Sequence, residues 1–177
     1  MQFVFETAYD RKTLPVMAKC LRKTVRKKHS RRSHMFGWSV MVLALALSLR
    51  PGEDGFTIGA KQVGTWAVVL VLFLTLIFED TLNGYIAGKR MLKGTEKAVA
   101  VFDTENTERF VSETEVGKSE FAYEKIVTVA ETRDYFVFLF SANHAQIYDK
   151  THLTGGTTEQ FKAFIRETVG ADVVFVK

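Results

Sequence analysis

The stretch LRKTVRKKHSRRSHMFGWSVMVLALALSL, residues 21–49, sets the chain's densest positive charge directly against an uncharged apolar run. Seven of its first twelve residues are Lys or Arg, and residues 35–49 carry no charge. A bilayer with an anionic surface is a partner that satisfies both halves. A second uncharged run, VGTWAVVLVLFLTLIF, covers residues 63–78. Each run falls short of the roughly 20 residues usual for a spanning helix. Both are apolar on every side, where a core helix of so small a protein would show a polar face. Trp38 and Trp66 sit near one end of each run, the usual place of interfacial anchors. Ser33 and His34 can extend the first run, and a snorkelling Lys61 lets the second begin near Thr57. Between them, Arg50-Pro51-Gly52 stops a helix, and Gly52 and Gly55 suit a turn. The pattern predicts a two-helix transmembrane hairpin at residues 34–80, with spans of about 35–50 and 62–79.

Charge gives the orientation. Lys19, Arg22, Lys23, Arg26, Lys27, Lys28, Arg31 and Arg32 precede the first span, and Lys89, Arg90 and Lys93 follow the second. The connector offers only Arg50 and Lys61. Positive charge stays on the cytoplasmic side, so both termini are expected there, in a multi-pass protein of the bacterial plasma membrane. A cleaved signal peptide is the competing reading, with Ala44–Ala46 as its site. The charged leader is long for one, and a second apolar segment follows.

The bulk numbers agree with this division. The chain has 177 residues and a mean hydropathy near zero, an average that hides a split. Residues 1–94 hold 15 Lys and Arg against 6 Asp and Glu, and residues 95–177 hold 9 against 14. Such asymmetry points to membrane or nucleic-acid contact by the first half. No aromatic residue is interleaved among the bases, which argues against nucleic acid. Cys20 is the only cysteine, so no intrachain disulfide forms; its cationic neighbours are expected to lower its pKa.

Residues 1–33 read as a short strand followed by a basic amphipathic helix. Thr13 is the expected helix cap, with Pro15 tolerated in the first turn. Leu14, Met17, Leu21 and Val25 then form a narrow apolar stripe. One reading lays this helix on anionic lipid headgroups through the eight basic residues named above. The other makes those charges topology signals on a helix that runs straight into the membrane. Phe3 and Phe5 alternate with neighbours in a strand able to join the cytoplasmic sheet; the hairpin is then an insertion.

Residues 95–177 read as short strands: 97–103, 108–113, 118–126, 127–132, 135–141 and 144–149. Gly155-Gly156 breaks the chain, and Thr157 with Gln160 matches a capping box. Phe161, Phe164, Ile165 and Val169 share a helix face, and Gly170 stands at the C-terminal cap position. Residues 172–177 suit a last strand. The fold class expected is α+β: a membrane hairpin plus a small antiparallel sheet domain capped by a C-terminal helix.

The chain order, together with Tyr123, Ile126, Val129, Glu131, Tyr135, Phe136, Ala145, Ile147, Lys150 and the helix at 161–165, resembles the YcxB-like family of bacterial membrane proteins. The resemblance implies a pleckstrin-homology-like cytoplasmic domain and no assigned chemistry.

No catalytic or nucleotide-binding motif occurs, and the four histidines are not paired at ligand spacing. Neither catalytic nor metal nor cofactor residues are expected. Glu79 and Asp80 end the second span, where they suit a solvated helix end or pair with the basic leader. The function expected is a non-catalytic, membrane-anchored binding module with an unidentified protein partner and a possible homo-oligomer. An immunity-type protein that neutralises a toxin, and a subunit of a transporter or membrane enzyme, are the alternatives.

Overall fold

The computed structural model describes residues 1–49, 59–91, 93–170 and 173–177. The expected connector turn at residues 50–58 lies outside these. The chain is α+β, with two sheets and five α-helices among the described residues.

The first sheet is antiparallel. It joins β4 (Gly117–Ala122), β3 (Arg109–Thr114), β2 (Lys97–Asp103), β1 (Gln2–Ala8) and β8 (Leu153–Thr154), in that order. β1 pairs with β2 along its whole length, from Gln2↔Asp103 to Ala8↔Lys97. The N-terminal strand is therefore an interior strand of this sheet, and residues 9–96 are inserted between two hydrogen-bonded neighbours. The second sheet joins β7 (Ala145–Asp149), β6 (Tyr135–Leu139), β5 (Thr128–Glu131) and β9 (Val173–Phe175). β9 runs parallel to β5, so this sheet is mixed where an antiparallel one was expected. The parallel direction follows from α5 (Thr158–Val169), which lies between β8 and β9 and returns the chain beside β5.

Strand alternation fills the core. Phe3 and Phe5 from β1, Phe102 and Phe110 from the next strands, Phe136 and Phe138 from β6, and Phe161 and Ile165 from α5 are all buried in one cluster. Phe5 packs edge-on to Phe161 at 4.6 Å between ring centroids, and Phe102 stacks on Phe110 at the same distance. Burying each ring contributes about 1.5–3 kcal/mol. β6 is apolar on both faces for a reason. Its Phe136 and Phe138 enter this cluster, while Val137 and Leu139 enter a second one with Ala130, Ile147 and Val176. The second cluster is closed by Cys20 and Leu21 of α1 (Thr13–Lys23). The α1 stripe thus packs on protein: Leu21 on the second sheet, Leu14 against α4 (Glu79–Arg90).

Local capping explains the helix ends. Thr157 Oγ1 accepts from the Gln160 N–H, Gln160 Oε1 accepts from the Thr157 N–H, and Gly170 closes α5 in the left-handed region at φ +64°. At α1 Thr13 is not the cap; the flanking residue is Lys12, and the Asp10 carboxylate ahead of it takes the entering N–H groups. Asp10 Oδ1 accepts from the N–H groups of Lys12 and Thr13, at 2.7 and 2.9 Å, and Thr13 Oγ1 accepts in return from the Asp10 N–H. The reciprocal pair makes Thr13 the first residue of α1 instead of its cap.

The leader is not one helix. α1 ends at Lys23, and α2 (Lys27–Ser48) then runs unbroken from the basic cluster through the apolar run. α3 (Ala60–Ile77) and α4 are separated at Phe78. Two antiparallel helix pairs result. Gly37 faces Leu76 and Trp38 faces Phe73 between α2 and α3, and Gly84 meets Leu14 and Pro15 between α4 and α1. Among the described residues, α3 alone is long and apolar enough to cross a membrane. The apolar part of α2 up to Ser48 is about 20 Å long, against roughly 30 Å of hydrocarbon. The expected two-span hairpin therefore reduces, on length and composition, to one qualifying helix.

Candidate membrane-surface site

The eight basic residues of the leader do not share one face. Arg22 turns to α4, where its Nε and Nη2 donate to the two oxygens of Asp80 at 2.7 and 2.6 Å. This fork is the charge-assisted bidentate geometry, and Glu79 lies 3.7 Å from the same guanidinium. Glu79 also meets His34 Nε2 at 2.6 Å. The acids that open α4 thus pair with the leader. Arg26 turns to the second sheet, donating to the Ala142 carbonyl and to Asn143 Oδ1. Lys19 borders a separate cavity beside Glu131 and Asp134. Lys28 and Arg32 are exposed.

Lys23, Lys27 and Arg31 recur every fourth residue along the α1–α2 junction, and they converge. With Arg22 and Lys177 they line a cavity of about 680 Å³, completed by Ser30, His34 and β9. Val174 and Phe175 of β9 stand 44% and 57% exposed there. Lys23 Nζ donates to the Lys177 carbonyl at 2.8 Å. Among the described residues no Asp or Glu side chain lines this cavity. Phe175 was not among the residues expected at the site; its only sequence signal is an aromatic residue two positions before Lys177.

The tryptophans lie toward opposite ends of the hairpin. Trp38 packs edge-on to Phe73 at 6.1 Å, and Trp66 Nε1 donates to Ser48 Oγ at 3.1 Å. Both remain more than a third exposed.

No family model, curated protein or solved structure matches the chain.

Other candidate groups have structural explanations. Cys20 is fully buried, and burial pushes its thiol up to about 11 against the opposing charge of Lys19. The expected lowering by cationic neighbours is overturned, because desolvation of the thiolate outweighs those charges. Glu131 sits 7% exposed between Lys150 Nζ at 2.7 Å and Lys162 Nζ at 2.6 Å. Burial works to raise its pKa, but hydrogen bonds from both lysines outweigh it and hold the carboxylate below its ordinary value. This triad ties β5, the turn after β7 and α5 together. The Tyr123 hydroxyl is buried without a hydrogen-bond partner, and burial pushes its pKa well up. Among the described residues no cluster of His, Cys, Asp and Glu has a metal-holding arrangement.

Proposed function

We propose that this chain is an integral protein of the bacterial plasma membrane that acts by binding. In this reading α2 and α3 cross the bilayer as a hairpin, both termini stay cytoplasmic, and the two-sheet domain is a YcxB-like, pleckstrin-homology-like module.

The observation that carries the reading is the pairing of β1 with β2. Those strands flank the helical insertion and are hydrogen-bonded in seven register pairs. Two strands of one sheet stand on one side of a membrane. A segment between them crosses an even number of times, so α3 as a span requires a return path. α2 packs against it antiparallel and is the partner on hand. Its shortfall in length is of the kind that bilayers meet by local thinning and snorkelling flanks. The outward side chains support this: Phe36, Val42 and Leu43 on α2, and Val68, Leu70 and Val71 on α3, are each more than half exposed. The acidic balance of residues 95–177 favours a basic protein segment as the domain's partner.

The test is cysteine accessibility in intact cells. A C20A background receives single cysteines at Ser33, Asp54 or Lys177, and a membrane-impermeant maleimide is applied. Labelling at position 54 alone before permeabilisation, and at all three afterwards, is expected. Equal labelling of 54 and 177 in intact cells refutes the topology.

A further inference from the structure

We infer that the cavity between the α1–α2 junction and β9 is a discrete site for the phosphate of an anionic phospholipid headgroup. The inference rests on the membrane reading above and narrows it. A cationic leader attracts anionic lipid through its summed charge, without regard to which residue carries it. This structure departs from that picture.

Lys27 and Arg31 stand one turn apart on α2, and Lys23, the last residue of α1, lines the same cavity across the break at residues 24–26. Like charges at this spacing repel one another on a helix. The other cations nearby are engaged: Arg22, at the cavity's edge, has Asp80, Arg26 has Ala142 and Asn143, and Lys23 gives one donor to the Lys177 main-chain oxygen, which leaves Lys27 and Arg31 as the cations most open to a ligand. Among the described residues no Asp or Glu side chain lines the cavity, and Asp80 and Glu79 reach only its edge, through Arg22 and His34. Arg31 supplies a planar fork and the two lysines supply point charges, a combination suited to phosphate oxygens. Basic pockets on the cytoplasmic side of membrane helices hold headgroups for this reason.

Position and polarity select a lipid over a soluble phosphate. The cavity stops at His34, one residue before the apolar run begins, so it opens at headgroup depth. Its other wall carries exposed Val174 and Phe175, an apolar rim of no use to inorganic phosphate and well suited to the glycerol and upper chain of a lipid.

The full chain in mild detergent is titrated with fluorescent cardiolipin and phosphatidylglycerol. The variant K23Q/K27Q/R31Q is compared with K19Q/K28Q/R32Q, which removes the same charge from outside the cavity. The first is expected to weaken retention on the order of tenfold to a hundredfold, and the second about twofold or less. F175S, which leaves the charge unchanged, is expected to weaken retention as well. Equal losses in the two triple variants overturn the site in favour of diffuse attraction. Displacement of the lipid by millimolar inorganic phosphate overturns the assignment to a lipid. Carbonate extraction of the unaltered chain is run beside these titrations. Release of the chain refutes membrane anchoring whatever the titrations give, whereas a retained chain with equal losses refutes only the site.

Discussion

Replacing Glu131 with Gln probes the triad that joins β5, the turn after β7 and α5. The substitution preserves shape and removes the negative charge between Lys150 and Lys162. The Glu131 side chain is 10% exposed and that of Lys150 12%, so one ammonium is left facing a neutral amide with little water. Lys162 is 22% exposed and can turn outward. Lys150 keeps its bond to the Thr132 carbonyl at 2.8 Å and its place over the Phe136 ring. Breaking a buried pair costs about 3–5 kcal/mol, and these remaining contacts put the expected loss near the lower end, about 3 kcal/mol. For a chain of this size that lowers Tm by roughly 6–12 °C. The assay is thermal unfolding of the full chain in detergent, followed by near-ultraviolet circular dichroism of the Phe- and Tyr-rich domain. The pH profile adds a second readout. The folded pKa of Glu131 lies below its unfolded value, so its stabilisation is complete above an unfolded pKa of about 4.3 and is lost as pH falls through the folded value. E131Q is expected to lack this part of the acid-side slope. The apolar set E131L/K150M/K162L is expected to recover most of the loss. A loss below about 1 kcal/mol in E131Q, with the acid slope intact, shows that the triad behaves as an exposed ion pair and refutes the reasoning.

Gly84→Val is expected to part α1 from α4, because a Cβ at Gly84 lies 2.6 Å from the Pro15 nitrogen and 2.9 Å from the Leu14 carbonyl carbon. The overpacking cost of about 1–3 kcal/mol should appear as lost hydrogen-exchange protection in α1, and unchanged protection contradicts the contact. Cys20 is expected to resist maleimide at pH 8 in the folded chain and to react fully after denaturation; rapid labelling of the folded chain contradicts its burial.

Features encoded within a few residues were legible in the sequence. The Thr157–Gln160 capping box and the Gly170 cap appear as expected, because both rest on contacts no more than four residues apart. Alternation located β2, β3 and β7 to within a residue, and β6 to within two. Features set by distant partners were not legible. The stripe on α1 could be counted, but nothing in Leu14, Met17 and Leu21 says whether lipid or a sheet covers it. The parallel pairing of β9 depends on where α5 returns the chain. The Cys20 thiol runs opposite to the sequence expectation because Lys19, Arg22 and Lys23 stand near it along the chain, whereas the fold clusters it with Val137 and Ile147. At the candidate site the cations were legible as a group. Their division into Arg22 on Asp80, Arg26 on Asn143 and the three that share a cavity depends on the break at residues 24–26.

The interior position of β1 dictates an order of events at the ribosome. β1 leaves the exit tunnel first, yet its partner β2 follows only after residues 9–96, a wait on the order of ten seconds at about 5–20 residues per second. In the proposed topology the bilayer receives α2 and α3 during that interval. The domain can close only afterwards, when β2 meets a strand that has waited with Phe3 and Phe5 uncovered. In that proposed topology closure of the sheet depends on the hairpin crossing twice, since a single crossing strands β1 and β2 on opposite sides.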